Sequence, residues 1–200
     1  MIVSIHQPEH FPYLGFFQKM QACDVFVLLD DVKFKKNDFQ NRNRFLNRSG
    51  QEEWFTVPVE KEANSKLINQ VLVSKDPNWR SRIKKQISFN LKHQVSDVYD
   101  SYEKLIDINV TSIKWCMKRL CISTPLIFSS ELNVQGAKSQ RLLNICKALK
   151  AKKYISGSGG KQYLDVEIFR NENIDVDFFQ ANVSNMMSTI YNIETNHEKA

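Results

Sequence analysis

The sequence has no CxxC pair. Its four cysteines, Cys23, Cys116, Cys121 and Cys146, are not spaced as zinc ligands, and they read as reduced, mostly buried thiols in a reducing compartment. No apolar run approaches the roughly 20 residues that a bilayer-crossing helix needs. The first residues spell an apolar strand and a polar turn, not a basic stretch leading into an apolar helix. Both features predict a cytoplasmic protein with no integral membrane segment. The phosphate-loop spacing GxxxxGK[ST] is missing, and no Ser-His-Asp or Cys-His order is evident. Cys23 stands next to Asp24, and a neighbouring carboxylate weakens a thiol as nucleophile. No metal site is expected, and the residues point to no particular cofactor.

The chain has 200 residues, 42% hydrophobic and 25% charged, which suits one soluble domain with a core of its own. Its formal net charge is +6, and part of that excess lies between Lys33 and Arg48. Basic patches attract phosphates of every kind. Charge alone is a thin basis for nucleic acid, so a small phosphorylated ligand is the expected partner.

Short apolar runs alternate with helical patterns, which predicts an α/β fold with a mostly parallel sheet flanked by helices. Strands are expected over 1–6, 24–30, 54–59, 67–73, 126–128, 154–155 and 176–178. Helices are expected over 13–22, from Asp76-Pro77 to about Leu91, over 98–120 with a break near Asp107, after a capping Ser139, and over 163–170. Residues 31–45 read as a long functional loop. Residues 1–180 read as one domain, and 181–200 as a polar, frayed tail, divergent or truncated.

Four clusters carry chemistry. His6 and His10 flank the first turn, where imidazoles suit acid–base work or phosphate binding; His10 is expected at the mouth of the turn. Asp30 and Asp31 follow an apolar strand, a common place for a carboxylate that binds Mg²⁺, a ribose hydroxyl or a substrate amine. Gln40, Asn41, Arg42, Asn43 and Arg44 offer planar donors for phosphate and sugar groups. Ser156, Gly157, Ser158, Gly159, Gly160 and Lys161 lie between a strand and a helix, where glycines let backbone N–H groups approach an anion. If the strands before these last two clusters are parallel, both loops emerge on one sheet edge. Ser129-Ser130-Glu131 reads as a helix cap.

The runs IHQPEHFPYLGFFQKM, DVFVLLDDVKF, QNRNR and WFTVPV, with SSEL, RLLNICKAL and YISGSGGKQYLD later in the same order, resemble the WbqC-like family. The resemblance implies a place in bacterial surface-polysaccharide or O-antigen biosynthesis. It also implies a sugar-modifying role such as acyl or aminoacyl transfer to an amino sugar. By position it implies polar site residues at His6, Gln7, Asp30, Asp31, 40–44, Ser156, Gly157 and Asp165. The expected partner is a phosphorylated small-molecule sugar; a homo-oligomer fits the same picture, and nucleic acid is not expected. Ala181–Ala200 departs from the aromatic-rich ending and closing helix of the family. A fainter likeness of layout links the chain to nucleotidylyltransferase-like proteins, although the HxGH signature is absent.

Overall fold

The computed structural model describes residues 1–100 and 102–197. In chain order its strands and α-helices are β1 (Ile2–His6), α1 (Leu14–Gln21), β2 (Val25–Leu28), β3 (Arg42–Leu46), β4 (Glu52–Thr56), α2 (Trp79–Leu91), α3 (Ser96–Tyr99), α4 (Leu105–Arg119), β5 (Leu126–Phe128), α5 (Lys138–Ala148), β6 (Lys153–Gly157), α6 (Glu167–Arg170), β7 (Asp175–Phe179) and α7 (Thr189–His197). Contacts group the chain into two units. The first comprises Met1–Gln7, Gly15–Asp30 and Ser123–Val183; the second comprises Pro8–Leu14, Asp31–Ile122 and the described part of Ser184–Ala200.

The first unit is built on a five-stranded sheet in the order β5-β2-β1-β6-β7. Every pairing is parallel, so the fold is α/β, as the alternation of apolar runs and helices predicts. Successive side chains of a strand point to opposite faces. Val3, Ile5, Val27 and Tyr154 therefore turn to one face, where they pack on Leu143, Cys146 and Phe169 from α5 and α6. Each such apolar side chain contributes roughly 1.5–3 kcal/mol when fully buried. His6 and Phe26 turn to the face covered by α1: the Phe16 ring lies 5.0 Å from the His6 ring and 4.9 Å from that of Phe26. The order along the sheet reverses at β1. From β1 the chain steps outward through β2 to β5, then returns to the other side of β1 with β6 and continues to β7. This is a doubly wound sheet whose topological switch point lies between β1 and β6.

The second unit holds the antiparallel hairpin β3–β4, in which Arg42 faces Thr56 and Leu46 faces Glu52. Helices α2, α3, α4 and α7 belong to the same unit. Phe11, Phe45, Phe55, Ile87 and Tyr99 are fully buried in its core.

Several local expectations change. Residues 42–46, expected in a loop, form a strand because Asn43 and Phe45 point inward while Arg42, Arg44 and Leu46 stay at the surface. Residues 67–73, expected as a strand, form a 3-10 turn at Ile68–Gln70, with isolated bridges at Leu67, Leu72 and Val73. Ser139 lies inside α5, where its hydroxyl accepts the Asp165 N–H at 3.0 Å, and Ala137 occupies the N-cap. The helical stretch expected over 98–120 is divided into α3 and α4. The frayed tail is not seen as far as His197. Ser188 N–H donates to the Arg44 carbonyl at 2.9 Å and Thr189 N–H to that of Pro12 at 2.9 Å. Helix α7 follows, with Ile190 fully buried; residues 198–200 of the expected tail lie outside the described residues.

Candidate functional site

In an open parallel sheet, loops leaving the strand C-termini on either side of the switch point diverge and leave a crevice. One of the four predicted clusters, 156–161, lies there, together with His6 of the first. Strands β1 and β6 pair as far as Ser4 opposite Ile155; His6 is the last residue of β1 and Gly157 the last of β6. Gln7 follows His6, and Ser158–Gln162 form a 3-10 turn after Gly157. Ser156 is buried, while Ser158, Gly159 and Lys161 are exposed. Lys161 also lies over the Phe178 ring of β7, 5.8 Å from its centroid.

His6 Nδ1 lies 3.1 Å from the Gln7 carbonyl oxygen. A carbonyl only accepts, so this contact assigns the proton to Nδ1 and makes Nε2 the acceptor of the ring. Burial and the nearby Lys19 ammonium lower the His6 pKa to about 3. At neutral pH the ring is uncharged and acts as a hydrogen-bond acceptor at Nε2.

Asp30 lies at the end of β2 in the same unit and is 3% exposed. One carboxylate oxygen accepts the Ser129 hydroxyl and the Ser130 N–H, each at 3.0 Å, and the other accepts the Ser130 hydroxyl at 2.7 Å. The carboxylate thus ties the end of β2 to the turn after β5. Ser129-Ser130-Glu131, expected to cap a helix, begins a 3-10 turn instead and supplies these donors. Asp31 belongs to the second unit.

In the second unit His10 is not at a mouth. It is fully buried, with Nε2 3.0 Å from the Tyr99 hydroxyl and the Phe11, Phe55 and Tyr99 rings around it. Burial lowers its pKa to about 3. Aromatic walls surround His10 because Phe11 from the turn, Phe55 from the hairpin and Tyr99 from α3 converge on it. The amides of the 40–44 cluster serve the backbone. Gln40 Oε1 accepts the Lys35 N–H at 2.9 Å, and Asn41 donates to the Val57 carbonyl at 3.0 Å. Asn43 donates to the carbonyls of His10 and Phe11 at 3.1 and 2.8 Å. Phe11 needs that support, since its φ of 42° lies in the left-handed region that L-residues avoid. The Arg42 and Arg44 guanidinium carbons lie 4.2 and 5.4 Å from the Trp54 ring centroid, and Arg44 pairs with Glu52 at 3.0 Å.

Sequence reasoning passed over Lys19. It stands three residues after Phe16, so one face of α1 carries both onto the sheet, and it is 3% exposed. That spacing was its only signal. A surface depression of about 450 Å³ in the first unit lies at the other end of β6 and β7, beside Lys153 and Asp175. It is lined partly by the Lys153–Asp177 ion pair, and the switch-point rule favours the C-terminal edge instead. Among the described residues no group of three or more His, Cys, Asp or Glu side chains is placed to hold a metal ion, and no helix is long and apolar enough to cross a membrane.

The chain is 27% identical over 189 residues to an uncharacterized protein of Mycobacterium tuberculosis, Rv1507c, covering 88% of this chain and 81% of that protein. No solved structure matches. The model of the WbqC-like protein family matches residues 7–189, a span that takes in Gln7, Asp30 and the loop after β6 together with most of both units, and the chain belongs to that family.

Proposed function

We propose that this protein is a transferase of bacterial surface-glycan biosynthesis that moves an acyl or aminoacyl group onto the amine of a nucleotide- or lipid-linked amino sugar. The observation that carries the reading is that His6–Gln7 and the 156–161 loop follow the C-terminal ends of the adjacent parallel strands β1 and β6, at the switch point of a doubly wound sheet. The reaction needs an activated acyl ester or thioester as co-substrate. The sugar nitrogen attacks the acyl carbon, a C–N bond forms, the bond from carbonyl to leaving group breaks, and the proton lost by the nitrogen passes to the departing oxygen or sulfur, which leaves as an alcohol or thiol. Neutral His6 accepts a hydrogen bond from that nitrogen or from a sugar hydroxyl and so orients it. Gln7 and the exposed Ser158 hydroxyl supply further polar contacts to the sugar.

Two observations favour a second reading, a glycan- or nucleotide-binding module without turnover. His6 is a weak base at a pKa of about 3, and the Asp30 carboxylate is engaged by two serines. Incubation with UDP- and dTDP-linked amino sugars and acyl donors, followed by mass spectrometry, separates the two. The transferase reading expects a sugar heavier by one acyl group; binding of the sugar nucleotide without any mass change supports the module.

A further inference from the structure

The Lys19 ammonium is held inside the first unit, 3.4 Å from the Ile5 carbonyl oxygen at the end of β1 and 5.5 Å from the centroid of the Phe26 ring. Across the switch point stands Gly157. Its φ of −67° is ordinary for any residue, so the backbone does not require glycine there. A Cβ built on Gly157 would meet a single atom within 4 Å, the Lys19 Nζ at 4.0 Å, and one built on Gly159 would meet nothing. The missing side chain therefore leaves a space bordered by a positive charge, at the strand ends where ligands of doubly wound sheets bind.

We propose that this space takes a phosphate group of the ligand, with the Lys19 ammonium as its counter-charge and the bare flank of Gly157 as its seat. The assignment rests on the switch point being the ligand site and is independent of the transfer chemistry. It adds Lys19 as a binding residue, gives Gly157 a definite role as the seat, and places the phosphate of the expected ligand between them. A phosphate in this place would also offset the positive charge that bears on His6.

The test is calorimetric titration of the wild type, Lys19→Met and Gly157→Ala with inorganic pyrophosphate, with UDP and with free glucosamine. Methionine keeps the length and apolar stem of Lys19. Alanine at 157 meets no steric obstacle, yet its methyl group fills the proposed seat. Pyrophosphate and UDP should bind the wild type and weaken roughly ten- to a hundred-fold in each variant, the loss expected for a charge-assisted hydrogen bond. Equal affinity for the two ligands would identify the phosphates as the recognised part, and tighter binding of UDP would extend the seat to a nucleoside diphosphate. Unchanged affinity in Gly157→Ala, or no binding of either anion to the wild type, would overturn the proposal. Should Lys19→Met fail to fold, Gly157→Ala decides. Phosphate-dependent binding without acyl transfer would leave this proposal standing while removing the transferase reading.

Discussion

Gly159 and Gly160 are adjacent in the chain, yet a methyl group has different consequences at each. A Cβ on Gly160 would lie 2.1 Å from the Ser156 hydroxyl oxygen and 3.2 Å from the Ser156 Cβ; on Gly159 it would lie in open space. Ser156 is buried, so relieving the first clash disturbs a packed strand end. Gly160→Ala should cost about 1–3 kcal/mol in urea unfolding, as overpacking does, and Gly159→Ala should leave stability near wild type. Equal stability of the two variants would contradict the close approach. His10 gives a second prediction at this scale. Its folded pKa of about 3 lies below the 6.5 of an unperturbed imidazole, so between those values the unfolded chain binds a proton that the folded chain does not. Stability from this group is therefore lost as pH falls from about 6.5 towards 3, at about 1.4 kcal/mol per pH unit. Between pH 6.5 and 5 that amounts to about 2 kcal/mol. Unfolding of wild type and His10→Gln across this window should show a weaker pH dependence in the variant, which is also less stable at pH 7; parallel curves would contradict a buried neutral His10.

At the level of elements, legibility in the sequence followed burial. Strands β1, β2 and β6 could be read because central parallel strands are covered on both faces and so appear as unbroken apolar runs. Strand β3 could not, because its inward positions are Asn43 and Phe45 and its outward ones Arg42, Arg44 and Leu46; a buried asparagine that fastens two carbonyls looks like a polar loop residue. Its neighbours Gln40 and Asn41 misled in the same way, since an amide that satisfies backbone groups cannot be told by type from one that reads a sugar. Helix α7 was hidden because its buried residues include Thr189 and Asn192 beside Ile190. Ile190→Ala should cost roughly 2–5 kcal/mol, as for other buried isoleucines. Melting of the variant checks this, and a change of a few tenths would restore the frayed-tail picture.

For the molecule as a whole, the alternation of strands and helices was enough to predict a parallel α/β sheet, but the order of its strands was not readable. The order depends on long-range pairing, above all β1 lying between β2 and β6, and no local pattern records it. The site shares that limit: His6, Gln7 and Ser156–Lys161 could be picked out by type, whereas Lys19 was passed over, because no local pattern records which face of α1 lies on the sheet. The central claim is that ligands enter at the C-terminal edge between β1 and β6. The direct measurement is a backbone-amide NMR titration of the full chain with a UDP-linked amino sugar. The account predicts the largest shifts at His6, Gln7 and residues 157–161, saturating together. Saturable shifts confined to the opposite strand ends, around Asp24, Lys153 and Asp175, with His6 and Gly157 unmoved, would contradict it.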